Sequence, residues 1–359
     1  MNGKKSFAIA AGFAALALCL SACGGGSSPA TTSTTTSDTA GTDTAASTSA
    51  AVQTKQPSDM TVGFVAVGPE GGYRTAQEND IKAAFQQSGI NFKYSAPTSG
   101  NSNDQQSQIA AFSSFVNSGV DAILLDPTEA SGWEPSLQSA QAAGIPVILV
   151  DRSIEPNNTA LYTAHIGVDG VAQSTAAATA AVAWAKNKGG TVNGVELDGP
   201  AGLSIVNDRA NGWAAGIQGS NITMLGQPTG ANWDTATAKT VMTGLLQKNS
   251  NNIQLVFAQN DEMAVGAIQA IQAAGLTLYP ADPNGIYVIG IDATADGLNL
   301  VLSGQMALDV ETPPNFGAQL VTYTEAVING QSIPQETFLP FQTFDQALAQ
   351  QTDIPGRGY

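Results

Sequence analysis

Short apolar runs alternate with longer segments of helical spacing along residues 60–328, and this alternation constrains the fold of the 359-residue chain more than any other feature. The apolar runs are nearly continuous, which is typical of strands that are buried on both faces of a sheet. Several of the helical segments end at a glycine, which is a common stop signal. The order of strand, helix and strand therefore predicts an α/β fold with parallel sheets covered by helices.

The alternation runs once through residues 60–150 and restarts after Asp151. In the first half, we predict strands at residues 60–67, 92–96, 120–125 and 147–150, and helices at 75–88, 104–118 and 132–143. In the second half, we predict strands at 164–167, 191–197, 222–225, 255–258 and 287–291, and helices at 171–187, 208–217, 234–248, 262–274 and 314–328. Each half predicts its own doubly wound parallel sheet, so we expect two lobes.

Polar and aromatic side chains cluster just after the predicted strands of both halves. Ligands of doubly wound sheets bind beyond the carboxyl ends of the strands, and two facing halves would form a cleft between those ends. The candidate ligand-binding residues are Glu70, Tyr73, Arg74, Asp151, Arg152, Arg209, Trp233, Asn260, Asp261, Asp292 and Glu311. Any one of them could instead be a helix cap or a surface ion pair, but their repetition across both halves favours a binding site.

The chemistry of these side chains fits a neutral sugar. Aromatic rings such as Tyr73 or Trp233 can stack on the apolar C–H face of a sugar ring. Asp and Asn oxygens accept hydrogen bonds from sugar hydroxyls, and arginine donates to them from a rigid planar fork. A site whose polar groups match hydroxyls also rejects analogues that lack them, because its own groups would be left unpaired.

Composition narrows the function classes further. The chain has 13 Lys and Arg against 29 Asp and Glu, and loss of the lysines at positions 4 and 5 would leave 11 against 29, a net charge of −18. A chain this acidic is a poor partner for nucleic acid. The one histidine, His165, is expected to make a structural polar contact, and no phosphate-binding loop, EF-hand loop or G-x-S-x-G motif occurs. We therefore expect no metal, no cofactor and no enzymatic activity; a carboxylate-based glycosidase is the enzyme alternative.

The N-terminus has the three parts of a secretory signal peptide. Two lysines precede an apolar stretch at residues 7–20, which is shorter than the roughly 20 residues of a bilayer-spanning helix. The stretch ends in Leu20-Ser21-Ala22-Cys23, which resembles the bacterial lipobox. We predict a signal peptide at residues 1–22 and lipid attachment, with palmitate, at Cys23, which would hold the protein on the outer side of the cell membrane. Cys19 would leave with the signal peptide, so the mature chain has no other thiol.

Residues 24–59 are rich in Gly, Ser, Thr and Ala. Such a composition cannot bury enough apolar surface to offset the entropy of ordering, so it is typical of flexible segments. We predict that residues 23–59 form a tether, beginning at the lipidated cysteine, that spans roughly 30 Å and holds the folded part away from the membrane.

Several strings in the folded part resemble the type I periplasmic-binding-protein superfamily, in its ribose-, galactofuranose- and fructose-binding branch. The most specific are Glu70-Gly71-Gly72-Tyr73-Arg74, Asp151-Arg152-Ser153, Asn207-Asp208-Arg209, Ala258-Gln259-Asn260-Asp261-Glu262-Met263 and Gly290-Ile291-Asp292. The resemblance extends over residues 60–359 and is greatest to the fructose-binding lipoproteins of bifidobacterial ABC importers, followed by the galactofuranose-binding proteins. One departure is Tyr73, where galactofuranose binders usually have Trp, and it leaves the choice among sugars open.

The resemblance implies two lobes joined by a three-segment hinge, with crossings near residues 153–157, 311–313 and 332–335. The implied N-terminal lobe comprises residues 60–153 and 313–333, and the implied C-terminal lobe comprises residues 154–312 and 334–359. The family's sugar contacts carry over to Glu70, Tyr73, Arg74, Asp151, Arg152, Arg209, Asn260, Asp261, Asp292 and Glu311. Trp133 and Trp213 are expected to pack in the interior instead.

The function that this resemblance implies is that of an extracytoplasmic solute-binding lipoprotein. It would act as a monomer, capture a monosaccharide (fructose, a furanose-form hexose or a pentose) by closure of two lobes, and deliver it to the permease subunits of an ABC importer. A lipoprotein that senses sugar and presents it to a receptor is the alternative within the family. A transcriptional repressor of the same fold would need a helix-turn-helix head, and the signal peptide and tether occupy that place.

Overall fold

The computed structural model describes residues 54–97 and 104–359, which belong to one compact unit, Val52–Tyr359. The predictions for the signal peptide, Cys23 and most of the tether lie outside the described residues. Within the described part of the chain, no helix combines the length and the hydropathy needed to cross a membrane.

The strands and helices alternate along the whole unit. The strands are β1 Thr61–Val65, β2 Asn91–Ser95, β3 Ala122–Leu125, β4 Val147–Asp151, β5 Ala164–Gly167, β6 Val192–Asp198, β7 Ile222–Met224, β8 Thr229–Gly230, β9 Leu255–Ala258, β10 Leu278–Tyr279, β11 Ile286–Asp292, β12 Leu308–Glu311, β13 Glu336–Phe338 and β14 Thr343–Phe344. The helices are α1 Gly72–Ser88, α2 Gln105–Ser118, α3 Glu134–Ala142, α4 Gly170–Lys188, α5 Ser204–Ile217, α6 Thr235–Lys248, α7 Asp261–Ala273, α8 Ala295–Leu302, α9 Gly317–Ile328, α10 Gln346–Ala349 and α11 Ile354–Arg357.

The strands form two sheets. The first has the order β2, β1, β3, β4, β5, β13 and is parallel throughout. The second has the order β7, β6, β9, β11, β12, β14, with β14 antiparallel to β12, and with β8 and β10 attached beside β6 and β11. We call the first sheet with α1, α2, α3 and α9 the first lobe, and the second sheet with the remaining helices the second lobe. The predicted fold class, two doubly wound lobes, is confirmed.

Burial explains why the long strands were predictable. Every residue of β3, β4, β9 and β11 is buried, as expected for central strands covered by helices on both faces. The predicted helices and strands lie within a few residues of the observed ones, and the largest shift is at α5, which begins at Ser204 rather than at 208. The sequence analysis missed the helices α8, α10 and α11 and the strands β8, β10, β12, β13 and β14.

The sheet order moves two of the predicted crossings between the lobes. Strand β5 pairs with β4 in the first sheet, so the chain leaves the first lobe after Gly167 and not near 153–157. Strand β13 pairs with β5, so the last crossing lies at residues 339–342 and not near 332–335. The polar loop after β4 resembles a linker, but it returns the chain to the same sheet, where the Thr163 amide donates to the Val147 carbonyl at 2.7 Å. The second crossing follows Glu311, after which α9 packs against α1.

The end of the predicted tether is ordered on the first lobe. Pro57–Asp59 forms a 3-10 turn, and the Lys55 amide donates to Oδ1 of Asn329 at 2.7 Å. The Lys55 ammonium pairs with Asp121 at 2.5 Å, and Asp121 also accepts from the Thr61 amide. Residues 54–59 therefore belong to the folded unit, because these bonds outweigh the polar composition that suggested a flexible segment.

Three side chains expected to be structural lie in packed environments. Trp133 is buried and its Nε1 donates to the Glu129 carbonyl at 2.8 Å, and Trp213 stacks on Phe257 with ring centroids 4.3 Å apart. His165, on β5, contacts the Glu336 carboxylate through Nδ1 and the Asp151 carbonyl through Nε2 at 3.0 Å. His165 thus connects β4 to the last strand of the first sheet.

Candidate functional site

A cavity lies between the carboxyl ends of the two sheets and encloses about 380 Å³, its open mouth included. The first lobe contributes residues from the start of α1 and the end of β4, and the second lobe contributes residues from α5, from the loops before α6 and α7, and from the end of β11. The lining residues are Glu70, Tyr73, Arg74, Asp151, Arg152, Ile205, Arg209, Trp233, Asn260, Asp292 and Thr312. Nine of the eleven predicted ligand-binding residues are therefore brought together.

Arg74 organises the first-lobe wall. Its side chain is buried and forms ion pairs with Asp126 and, at 2.7 Å, with Oδ2 of Asp151. Burial acts to raise the pKa of Asp151, but the Arg74 and Arg152 guanidinium groups outweigh it, and that pKa lies below its ordinary value. Asp151 is consequently a fixed, ionised acceptor at the end of β4.

Arg152 and Glu70 both line the cavity, and each has polar atoms that no described residue pairs with. One Arg152 nitrogen, Nη2, pairs with Oε2 of Glu70. Arg152 Nε and Nη1 and Glu70 Oε1 are buried, and none of them has a hydrogen-bond partner among the described residues. A buried donor or acceptor without a partner costs about 1–3 kcal/mol. A ligand that carries hydroxyl groups would satisfy both kinds of atom, because a hydroxyl both donates and accepts.

The hydroxyl group of Tyr73 is hydrogen-bonded within the first lobe. Its hydroxyl donates to Oδ1 of Asp151 at 2.9 Å and accepts from Nε2 of Gln77 at 3.2 Å. Burial, followed by the charge of Asp151, raises the pKa of Tyr73 well above its ordinary value, so the phenol is neutral. The ring is therefore fixed in the cavity wall, where its face can contact apolar C–H groups.

Trp233 provides the aromatic surface of the second lobe. It packs against Gly199, where an added Cβ would lie 2.1 Å from Cζ2 of the indole, so only glycine fits there. Its Nε1 is buried and has no acceptor among the residues that the structure describes. The Arg209 guanidinium lies 5.9 Å from the ring centroid. Trp233 thus lines the cavity with an aromatic ring and has an indole N–H that no described residue pairs with.

Arg209 joins the second lobe to the crossover after β12. It donates to the Gln259 carbonyl at 2.6 Å and to Oγ1 of Thr312 at 3.0 Å. Its distance to Oδ1 of Asp292 is 3.5 Å. Burial raises the pKa of Asp292 well above its ordinary value despite the opposing charge of Arg209. The neighbouring arginines therefore outweigh burial at Asp151, whereas burial outweighs Arg209 at Asp292.

The backbone is strained at three of the lining residues. Asp151, Trp233 and Asp292 have φ of 62°, 57° and 125°, values that residues with a side chain rarely adopt. Such strain persists only where the surrounding structure determines it, and it is common at binding sites. All three residues lie in or beside loops at the cavity, which is the part of the fold that holds function in sheets of this kind.

The family model that describes the periplasmic binding protein domain matches residues 62–332. The chain belongs to this family. Because the match spans both lobes and the relatives below are named as binding proteins, the prediction that this periplasmic binding protein is not an enzyme is confirmed.

Characterised relatives cover nearly all of the folded unit. The fructose import binding protein FruE of Bifidobacterium longum is 43% identical over 292 residues, which is 81% of this chain and 86% of that protein. The galactofuranose-binding protein YtfQ of Escherichia coli is 34% identical, over 79% of this chain and 87% of that protein. A Mycobacterium smegmatis protein solved with β-D-fucofuranose superposes with a TM-score of 0.76 at 35% identity, covering 83% of this chain and 95% of that chain. The predicted family is therefore confirmed.

Two predicted contacts of this periplasmic binding protein do not line the cavity. Asp261 accepts from the amide and hydroxyl of Thr294, and burial together with the Asp309 carboxyl raises its pKa well above the ordinary value. Glu311 accepts from Arg357 at 2.8 Å and from the Gln342 amide at 3.0 Å. Both side chains hold elements of the second lobe together, so we correct their assignment from ligand contact to framework.

Two lining residues were missed by sequence reasoning. Ile205 is apolar, whereas the pattern that predicts a site consists of polar and aromatic side chains after strands. Thr312 directly follows Glu311 at the end of β12, a strand that the hydropathy pattern did not indicate. Thr312 could have been found from its position next to Glu311, a predicted site residue. No feature of the sequence indicated Ile205.

Proposed function

We propose that this periplasmic binding protein captures a monosaccharide in its furanose form for import, with D-fructose as the first candidate. The observation that carries the proposal is the set of unpaired polar atoms of Arg152 and Glu70 in one cavity with the faces of Tyr73 and Trp233. Hydroxyls on one edge of a sugar ring would pair with the polar atoms of Arg152 and Glu70, and the C–H face of the ring would contact Tyr73 and Trp233. The relative that binds fructose and the structure that holds a furanose support this choice.

Both lobes supply walls of the cavity. A ligand there would contact Asp151 on one side and Asp292 on the other. A ligand that binds the closed arrangement better than the open one shifts the lobes toward closure.

We further propose that the chain is a lipoprotein of an importer. Residues 1–22 would be removed as a signal peptide, and Cys23 would carry the lipid that holds the protein outside the cytoplasm on the cell membrane. The closed monomer would dock on the permease subunits of an ABC transporter. A cross-linking pull-down from membranes would distinguish this from a sensor, since it would recover a permease in the first case and a receptor in the second.

The proposed ligand is tested by isothermal titration of the mature chain with D-fructose, L-arabinose, D-galactose and D-ribose. We expect micromolar binding of at least one of them, about −8 kcal/mol, with D-fructose the tightest. Arg152→Ala should weaken this binding by about 30-fold or more, because truncating a buried charged partner costs roughly 2–5 kcal/mol. Lys239→Ala, a change on the outer surface of α6, is the control. Absence of heat with every monosaccharide would overturn the proposed function.

A further inference from the structure

Ile205 occupies an unusual position between the lobes. It is the second residue of α5, and its side chain packs against the hydrophobic cores of both lobes. It also lines two separate cavities. One is the cavity described above, and the other lies on the hinge side of the cleft and encloses about 830 Å³, its open mouth included.

The hinge-side cavity is bounded by both lobes and has both polar and apolar lining residues. Its lining includes Ser153 and Asn157 from the first lobe and Ser204, Asp208 and Asp169 from the second. These hydroxyl, amide and carboxylate groups are suited to sugar hydroxyls. The carboxylates would repel phosphorylated or acidic ligands, so the chemistry of the space fits a neutral hydroxylated group.

The two cavities share only Asp151 and Ile205 among their lining residues. The Asp151 carboxylate is held by Tyr73 and Arg74. Ile205 is confined as well, because an added Cβ at Gly170 would lie 2.7 Å from its Cδ1, which shows how closely the α4 backbone approaches the side chain. A confined aliphatic side chain therefore separates the smaller cavity from the larger one.

We infer that Ile205 sets the size limit of the ligand. It closes the site around one furanose ring and keeps a second ring out of the hinge-side cavity, so that the protein selects a free monosaccharide over a glycoside. This inference rests on the proposed function, since it concerns the same cavity. Removal of the side chain beyond Cβ would join the two cavities and open a polar space to a second sugar ring.

The test compares the wild type with Ile205→Ala in the mature chain by isothermal titration. The probes are D-fructose and three disaccharides that carry the second ring on different oxygens of a fructose unit, namely sucrose, inulobiose and levanbiose. Ile205→Val is the conservative variant. Val206→Ala is the matched control, because Val206 is a buried neighbour on α5 that packs in the second-lobe core and lines neither cavity. For any other monosaccharide that the wild type binds instead, its methyl glycosides replace the disaccharides.

We expect Ile205→Ala to bind D-fructose within roughly tenfold of the wild type and to gain at least about tenfold in affinity for one of the disaccharides. Tenfold is the lower end of the effect that a single methylene has on selection in a pocket, and this variant removes three carbons. Ile205→Val and Val206→Ala should leave disaccharide binding unchanged. Retention of D-fructose binding by Ile205→Ala without any such gain overturns the inference and leaves the proposed function standing. Tight disaccharide binding by the wild type also overturns it. A wild type that binds none of the monosaccharides overturns the proposed function, and the inference with it.

Discussion

At the scale of single residues, two neighbouring carboxyl groups of the second lobe, those of Glu196 and Asp198, have raised pKa values. Both residues lie on β6. Oε1 of Glu196 accepts a hydrogen bond from the side-chain amide of Gln259, and the backbone carbonyl of Gln259 accepts one from Arg209. Burial, together with the charge of Asp198, raises the pKa of Glu196 to about 8, and burial raises the pKa of Asp198 to about 6. The folded protein therefore binds protons that the unfolded chain would release.

This pair predicts how stability depends on pH. A carboxyl group whose pKa is raised on folding contributes its full stability below its unfolded pKa, about 4.3, and loses that contribution as pH rises through its folded pKa. Glu196→Gln remains neutral at every pH, so we expect it to be more stable than the wild type at pH 8. The gain in unfolding free energy should be at least ~1.4 kcal/mol, the equivalent of one pKa unit, and the melting temperature should rise accordingly. Thermal melts at pH 5 and pH 8 measure it.

The control for this prediction is Glu134→Gln, an exposed glutamate at the start of α3. It should melt like the wild type at both pH values. An equal shift of Glu196→Gln at pH 5 and pH 8 would show that the effect comes from packing and not from the proton.

The residue scale also shows where sequence reasoning about the site ends. Strand-end polar residues such as Asp151, Arg152 and Asp292 were predictable, because parallel sheets gather the ends of their strands at one edge. Asp261 and Glu311 satisfy the same rule, yet their side chains turn toward Thr294 and Arg357. Which way a side chain turns depends on neighbours far away in the chain, and the strand-end pattern carries no information about those neighbours.

At the scale of elements, the N-terminus of α1 is completed by the opposite lobe. Gly71 precedes the helix with φ of 120° and offers no side chain to cap it. Instead, Oε1 of Glu262, in the first turn of α7, accepts from the Gly72 amide at 3.0 Å. A second bond between the lobes joins the Ala130 amide to the Gly202 carbonyl at 3.2 Å. Since α1 carries Tyr73, closure both caps this helix and fixes the wall of the cavity.

We predict that loss of this interlobe cap destabilises the closed arrangement. Glu262→Ala removes an interaction of about 1 kcal/mol, typical of a helix N-cap, and should raise the dissociation constant of the bound sugar roughly fivefold. Most of the change should be a faster dissociation rate, as for most changes at a formed interface. Stopped-flow Trp fluorescence measures it.

Glu262→Gln provides the graded comparison, because its amide oxygen can still accept from Gly72 while its negative charge is lost. Its effect should be smaller than that of Glu262→Ala. A dissociation rate for Glu262→Ala equal to that of the wild type would contradict the role of this cap.

Element prediction succeeded where burial leaves a clear pattern and failed where it does not. Strands β3 and β9 are continuous apolar runs that are buried throughout, and sequence analysis located both. Strand β12, Leu308–Glu311, alternates leucine and valine with two acidic residues, although every one of its residues is buried. The assignment of β5 to the second lobe was wrong for a different reason, since β5 pairs with β4 in the first sheet, and local periodicity does not encode which strands pair.

At the scale of the whole molecule, the cavity belongs to neither lobe alone, so binding should stabilise the entire folded unit. A ligand present at 100 times its dissociation constant adds about 2.7 kcal/mol to the unfolding free energy. For a protein of this size we expect a rise of roughly 5 °C in melting temperature. Differential scanning calorimetry with D-fructose measures it, and the rise for Arg152→Ala should be less than half as large. Two separate transitions, of which only one moves with the sugar, would contradict binding across both lobes.

The attachment of Lys55 to Asp121 and Asn329 has a mechanical consequence. The chain joins the fold on the first lobe, through β1 and α9, and residues 54–59 make no hydrogen bond or ion pair to the second lobe among the described contacts. A force applied along the chain before residue 54 would therefore enter the fold through the first lobe, and the described contacts of residues 54–59 do not restrain the second lobe.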